Sequence, residues 1–364
     1  MSVMRRSLAL VTALLVSSSV AGCTPVGGQR YSRNKAQKSL QKLEQPGLTL
    51  GEFTLTRVVD GDTLRVDGLD SSLRLLGMDT EETFKSETDR RDAEANWAAY
   101  VESRRTRPHP GRIATPMGMI AKEWAKKFFE GNPRVRLERD HPKEIRDRFK
   151  RYLAYVFVNK GGVWLNYNVE AVRAGMSPYY SKYGHSRRFH TELVAAMKEA
   201  QDAKRGIWAS GVMNYPDYPE RFAWWTPRAD FVDEFRAAGA GKDNFIDISQ
   251  WDATANLEAH VGKEVNILGL VGDVRIGEKG PSRVTLSRAM FNDFPLVFFD
   301  RDVLGSSGLI QYKGEYVWIT GVPTVYENTH THKKQVQIVI DRASQVRLSK
   351  VAGLNLPTVG GDAP

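Results

Sequence analysis

Cysteine is almost absent from the 364-residue chain: Cys23 is the single one. No intramolecular disulfide can form, so a buried core has to carry the stability. Neither His nor Cys occurs between Val58 and Thr83, the stretch richest in closely spaced carboxylates, and a zinc site there is correspondingly disfavoured. The apolar run Leu8–Val16 is too short for an ordinary transmembrane helix. A Walker-type glycine loop, a Ser-His-Asp order and an internal repeat are all missing, which argues against P-loop hydrolases, triad hydrolases and solenoids. What is present is ordinary globular material, 41% hydrophobic and 26% charged, long enough for two or three domains. The formal net charge of +9 suits a polyanionic partner, although envelope proteins often share it.

The N-terminus reads Met-Ser-Val-Met-Arg-Arg, then the apolar run, then Ser-Ser-Ser-Val20-Ala21-Gly22-Cys23. A positive start, a short apolar centre and small residues form the pattern of a secretory signal. The last four residues resemble a bacterial lipobox, so residues 1–22 are expected to be removed and Cys23 lipidated, anchoring the exported chain to a membrane. An ordinary cleaved signal with an incidental cysteine is the alternative. The absence of Asp after Cys23 favours the outer membrane in a host that has one. Residues 23–50 have little periodicity and read as a flexible tether.

Residues Val58–Thr83 hold the most informative pattern. Asp60-Gly-Asp62-Thr63 precedes Arg74-Leu-Leu-Gly-Met-Asp79-Thr80-Glu81-Glu82-Thr83. Alternation at Thr54, Val58, Leu64, Val66, Leu73 and Leu75 suggests two half-buried strands joined by the turn Gly68–Ser72, which would gather the carboxylates at one strand end. Asp-Gly-Asp-Thr alone is an ordinary solvated turn; the second acidic cluster changes its meaning. Two carboxylates ~4 Å apart repel by about 4 kcal/mol at an effective dielectric of ~20, so such a cluster calls for protonation or a cation. A hard divalent ion with oxygen ligands answers that need. Arg74 begins the strand that leads to Asp79, and a guanidinium beside a metal-binding carboxylate suits a phosphate ester.

These motifs, with Asp147-Arg-Phe-Lys-Arg151-Tyr-Leu-Ala-Tyr155 and Lys204-Arg-Gly-Ile-Trp208, resemble in type and order those of the staphylococcal nuclease homologues, over residues 51–210. The resemblance implies an α+β fold, mainly β: an OB-fold five-stranded barrel with packed helices. It implies calcium-dependent cleavage of DNA and/or RNA, with low sequence specificity and 3′-phosphate products. One Ca2+ would be held by Asp62, Asp79 and the Thr80 carbonyl, while Glu82 orients or deprotonates water. Arg74 and Arg151 would grip the phosphate from two sides, and Asp60 would order Asp62 or its turn from behind. Lys150, Tyr180 and Tyr183 are candidates for nucleotide contacts, a core or surface role being equally open for the tyrosines. Glu81 stands where the family usually has proline; losing the ring should loosen the turn that aims Glu82 and add negative charge. The alternative function is a catalytically inactive module that binds nucleic acid or protein.

Elsewhere, Phe84–Ala114 reads as an insertion, with a helix over Asp92–Ser103 and a basic loop that is either solvated or grips a nucleic-acid backbone. Met119, Ile120, Trp124 and Phe128 mark an amphipathic helix over residues 116–131 that packs on the barrel. Helices are also expected over 165–174 and 191–203, and strands over 135–138 and 153–158. Residues 211–244, with Trp224-Trp225, read as an ordered connector. Five apolar runs between Gly262 and Ile340, with a short helix Val303–Gln311 after the third, give residues 245–350 the order of a second OB-like β-barrel. Lys279, Arg283, Lys333 and Lys334 would add nucleic-acid grip there. His330 and His332 read as a solvated hairpin tip, and residues 351–364 as a tail.

Overall fold

The computed structural model describes residues 47–106, 108–287, 293–329, 331–351 and 354. The signal, Cys23, most of the tether, His330 and nearly all of the tail lie outside the described residues.

Strands β1 (Thr49–Asp60), β2 (Thr63–Val66), β3 (Leu73–Leu75), β4 (Arg134–Glu138) and β5 (Tyr152–Lys160) form a closed ring. β1 pairs antiparallel with β2 and β4, β2 with β3, and β4 with β5; a parallel β3–β5 pairing shuts the barrel. Leu64, Leu73, Leu75, Val135, Leu137 and Val156 fill it with fully buried side chains. The acidic hairpin corrects the expected strand pair. Asp60 lies opposite Thr63, so Gly61-Asp62 is itself a turn, and the alternation belongs to three strands, not two. β6 (Val163–Asn166) extends β5 and occupies the start of the expected helix 165–174.

The insertion contains two helices, α1 (Glu87–Ala95) and α2 (Trp97–Ser103), where one was expected. Asn96 divides them: its amide donates to Asp92 O at 3.1 Å, and its Oδ1 accepts from Ala99 N at 3.0 Å as the cap of the second. Helix α3 (Pro116–Phe129) buries Met117, Ala121, Ala125 and Phe129, with Trp124 and Phe128 partly buried. Met119 and Ile120 face outward, 37% and 50% exposed, contrary to the expected face, because Gly118 has to meet the chain at Glu81-Glu82. Helices α4 (Tyr167–Arg173) and α5 (His190–Asp202) cover the barrel.

The connector is largely one helix, α6 (Tyr218–Ala238). Beyond it come β7 (Phe245–Asp247), α7 (Ala253–Ala259), β8 (Val265–Arg275), β9 (Ser282–Ser287), β10 (Phe294–Phe298), α8 (Arg301–Ser306), β11 (Tyr316–Gly321), β12 (Pro323–Glu327), β13 (Lys334–Val339) and β14 (Val346–Leu348). The five expected strands are present; β7 and β14, three residues each, are too short to stand out in the sequence, and β12 follows β11 after Val322 alone. β8, β9 and β10 pair antiparallel in series, β10 pairs parallel with β13, β13 with β12, and β11 with β8. Only Val322 separates β11 from β12, and these strands belong to one second sheet. No helix among the described residues is long and apolar enough to cross a membrane.

Helix α6 joins the barrel to the second sheet. Its Phe231, Val232 and Phe235 pack on Leu268 and Tyr316. Arg228 forms a buried ion pair with Glu315, whose Oε1 accepts from Trp224 Nε1 at 3.0 Å and lies 3.1 Å from His109 Nε2 of the insertion. Arg228 Nε also donates to Lys182 O at 3.0 Å. Insertion, barrel, connector and second sheet meet at this one joint.

Candidate active site

Three elements converge at one end of the first barrel. The β1–β2 hairpin presents Asp60 and Asp62, the exit from β3 presents Asp79, Thr80 and Glu82, and the insertion presents Arg112. Gly61 lets the hairpin lie against Thr80, since a Cβ there would fall 2.6 Å from Thr80 Cγ2. Tyr167 supports the hairpin by donating its hydroxyl to Gly61 O at 2.7 Å. The Asp79 amide donates to Ser177 Oγ at 2.8 Å and the Tyr180 amide to Gly77 O at 3.1 Å, tying the β3 exit to the α4–α5 loop.

Arg74, 6% exposed, reaches Asp62 with one terminal nitrogen and Asp79 with the other. Arg112 reaches Asp79 and, at 3.1 Å, Glu82 Oε1. Thr63 Oγ1 donates to Asp62 Oδ1 at 2.8 Å. Asp60 accepts instead from the Gly61 amide at 3.0 Å and Thr83 Oγ1 at 3.3 Å, so it fixes the turn. Three carboxylates, Asp62, Asp79 and Glu82, thus share two guanidiniums, with Asp60 alongside. Burial, then Asp62 and Glu82, push Asp60 up to about 6. Burial alone would raise Asp79 too, but Arg74 and Arg112 outweigh it and hold that carboxyl below its ordinary value.

This surplus of negative charge is what a cation would relieve. The available donors are all oxygens, and Thr80 Oγ1 is buried without a hydrogen-bond partner. Among the described residues no three His, Cys, Asp or Glu side chains form a ready metal cage. Two carboxylates, Thr80 and water are the set a hard ion takes, and the residues present fit calcium rather than zinc.

The other residues singled out in the sequence are placed differently. Arg151 precedes β5 and is engaged with Asp147, its Nε 2.7 Å from Asp147 Oδ2; the hydrogen bonds of the carboxylate cluster do not include it. Lys150 sits exposed at the same turn with φ of 64°, its carbonyl accepting from Arg146 at 2.9 Å. Tyr179 is core. Tyr180 backs the site, its ring 5.7 Å from the Arg74 guanidinium and edge-on to Trp225. Tyr183 is 51% exposed, its ring 6.0 Å from that of Tyr180 and edge-on to it. In the second sheet Arg283 lies 5.9 Å from the Tyr326 ring, and Lys334 and His332 both reach Glu327.

Residues 72–210, from the entry to β3 to just past Trp208, match the staphylococcal nuclease homologue family. The thermonuclease of Staphylococcus intermedius is 31% identical over 161 residues, which span 43% of this chain and 75% of that protein. The chain belongs to the staphylococcal nuclease homologue family. The thermonuclease of Staphylococcus hyicus is 29% identical over 160 residues, 43% of this chain and 76% of the relative. An uncharacterized protein of Methanocaldococcus jannaschii is 30% identical over 156 residues, 42% of this chain and 70% of the relative.

Against that family pattern, sequence reasoning missed two features. Arg112 was hidden among the arginines of the insertion; the one usable signal was its position between the stiff Pro110-Gly111 and the helix start Thr115-Pro116. Glu81 does not leave the turn loose. It is 1% exposed and accepts from Thr115 Oγ1, the Tyr215 amide at 2.8 Å and the Tyr218 hydroxyl at 2.7 Å.

Proposed function

We propose that this member of the family is a nuclease that hydrolyses DNA and/or RNA using one bound calcium ion, with weak base preference. The observation that carries this reading is the buried Arg74 fork between Asp62 and Asp79, with Glu82 beside it on the same turn. Asp62, Asp79 and the Thr80 carbonyl would hold the ion, which when bound polarises a phosphate oxygen and offsets the surplus carboxylate charge. Glu82 would accept a proton from water as the water oxygen bonds to phosphorus; the bond to the 5′ oxygen would break, that oxygen leaving as a hydroxyl with a proton taken from solvent and the phosphate staying on the 3′ oxygen. Arg74 would exchange a carboxylate for the phosphate, and Arg151 would approach from Asp147 on the other side, stabilising the charge that grows on the phosphoryl oxygens. Such contacts read backbone, not bases.

The test is hydrolysis of single-stranded DNA by the chain from Thr24 onward, in calcium and in chelator, beside Glu82→Gln. Calcium-dependent cleavage that falls steeply in the variant supports the assignment. The second reading, an inactive nucleic-acid-binding module, is favoured by Arg112, which already occupies Glu82 and Asp79; DNA binding without cleavage in either protein would establish it.

Two further parts belong to the proposal. Cys23 is read as a lipid anchor holding an exported enzyme at the cell envelope, testable by labelling with a radioactive fatty acid in wild type and Cys23→Ser. The second barrel is read as an OB-like nucleic-acid grip. A groove of about 440 Å³ between Lys182 and Tyr183 on one side and Gly272 and Lys313 on the other supports that reading.

A further inference from the structure

The connector touches the active site at two places, and both contacts involve buried groups. On one side Glu81, between Thr80 and Glu82, is held by Tyr215 and Tyr218, residues 134 and 137 positions away in the chain. Its third partner, Thr115, caps α3, accepting from Gly118 N at 3.0 Å. Gly118 lies so close to the turn that a Cβ would fall 2.2 Å from Glu82 O, and Thr115 N donates to that same carbonyl at 3.0 Å. The turn is therefore pressed on α3 and pulled from outside by the connector.

On the other side, the main chain flanking Arg112 is held by the same few residues. Arg221, 3% exposed, donates to Gly111 O at 2.6 Å, and the Tyr215 hydroxyl donates to Ile113 O at 3.0 Å. Arg221 is itself locked by Asp217 at 2.7 Å and by stacking over Tyr215, its guanidinium 3.9 Å from the ring centre. Tyr215, Tyr218 and Arg221 thus grip the chain just before Glu82 and on both sides of Arg112, the two groups that meet at 3.1 Å.

We propose that residues 215–221 of the connector are a positioning element of the nuclease site, acting through Glu81 on the turn bearing Asp79, Thr80 and Glu82 and through residues 111–113 on Arg112. A proline would stiffen this turn from within by fixing φ; Glu81 leaves φ free and transfers the constraint to three hydrogen bonds from outside. Glu81 neither touches substrate nor binds the ion; it sets where its neighbours' oxygens point. The catalytic consequence rests on the nuclease reading, whereas the mechanical one does not.

The experiment uses the chain from Thr24 onward, with Tyr218→Phe, Glu81→Ala and Glu81→Gln assayed below their melting temperatures. Amide hydrogen exchange over residues 79–83 reads the mechanical effect without reference to activity. Losing one hydrogen bond in Tyr218→Phe is expected to speed exchange there about tenfold. Misplacing Glu82 is expected to lower kcat roughly ten- to a hundredfold while KM stays within about twofold. Glu81→Gln, which keeps an acceptor for Tyr218 and can donate to Thr115, should recover most of what Glu81→Ala loses. Unchanged exchange over 79–83 in both Tyr218→Phe and Glu81→Ala overturns the proposal. So does faster exchange with unchanged kcat, since the contacts would then be structural only. A wild type without calcium-dependent cleavage removes the nuclease reading, and exchange alone then decides whether the connector holds the turn.

Discussion

Strands β1-β2-β3 of the barrel and β8-β9-β10 of the second sheet each pair antiparallel in series, and the two regions present different chemistry at the corresponding places. In the first, the hairpin between strands one and two carries Asp60 and Asp62, and the exit from strand three carries Asp79 to Glu82. In the second, the β8–β9 turn reads Ile-Gly-Glu-Lys-Gly-Pro, and β10 leaves through Phe299-Asp300. Asp300 is spent on a helix cap, accepting from Asp302 N at 2.8 Å, while Arg301 reaches the carbonyls of Gly277 and Glu278 across the same end. A cation there is satisfied by main chain, and no paired carboxylates call for a metal. The ring brings a hairpin and a strand exit together; the residues at those two points decide whether a phosphodiester can be cleaved.

The largest effect that could break this contrast comes from the carboxylates. Glu82→Gln is expected to lower kcat roughly 10²- to 10⁴-fold, while Glu278→Gln in the β8–β9 turn leaves it unchanged; steady-state hydrolysis of single-stranded DNA measures both. Equal losses would erase the distinction between the barrel and the second sheet. Next comes the insertion. Arg112→Ala removes charge-assisted hydrogen bonds of about 1.5–3 kcal/mol, so kcat/KM should fall roughly ten- to a hundredfold if Arg112 serves the phosphate. The same variant should need less calcium for half-maximal activity, because Asp79 loses a competing cation. A rise in activity would identify Arg112 as a plug.

Smaller effects sharpen the role of the second sheet. Removing residues 245–364 strips the cover from Phe231, Val232 and Phe235, lowering the melting temperature. It should also weaken polynucleotide binding and flatten its salt dependence by about 0.7 in log–log slope for each lost single-strand phosphate contact, read by fluorescence anisotropy. Unchanged affinity would direct attention to a protein or cell-wall partner. The mildest test is acid. Burial alone would raise Glu315, but His109, Arg228 and Trp224 outweigh it and hold its folded value below normal. Its contribution is therefore complete above the unfolded value of about 4.3 and is lost as pH falls through the lower folded one. Melting curves from neutrality down to acid should show wild type losing stability faster than Glu315→Gln.

Much of the first barrel was legible because its residues report local facts. Leu64, Val66, Leu73 and Leu75 alternate with polar neighbours since each strand has one face inside, and that pattern survives in one dimension. Where the hairpin fell was less legible: Asp60-Gly-Asp62-Thr63 permits strand or turn, and the pairing of Asp60 with Thr63 settles it. The face of α3 was misjudged for a similar reason. Met119 and Ile120 are as apolar as the residues that became core, but the fit of Gly118 against Glu82 rotates them out.

Residue type and short-range order alone account for the composition of the carboxylate cluster, the lack of an intramolecular disulfide and the strand-rich character of both the barrel and the second sheet. Only the tertiary structure decided that Arg112 meets Asp79 and Glu82, that Arg151 turns to Asp147, and that Glu81 is gripped by Tyr215 and Tyr218. Those pairings join residues four to 137 positions apart. Which partner a buried charge takes is set by whatever packing brings within about 3 Å, and no local pattern encodes that distance.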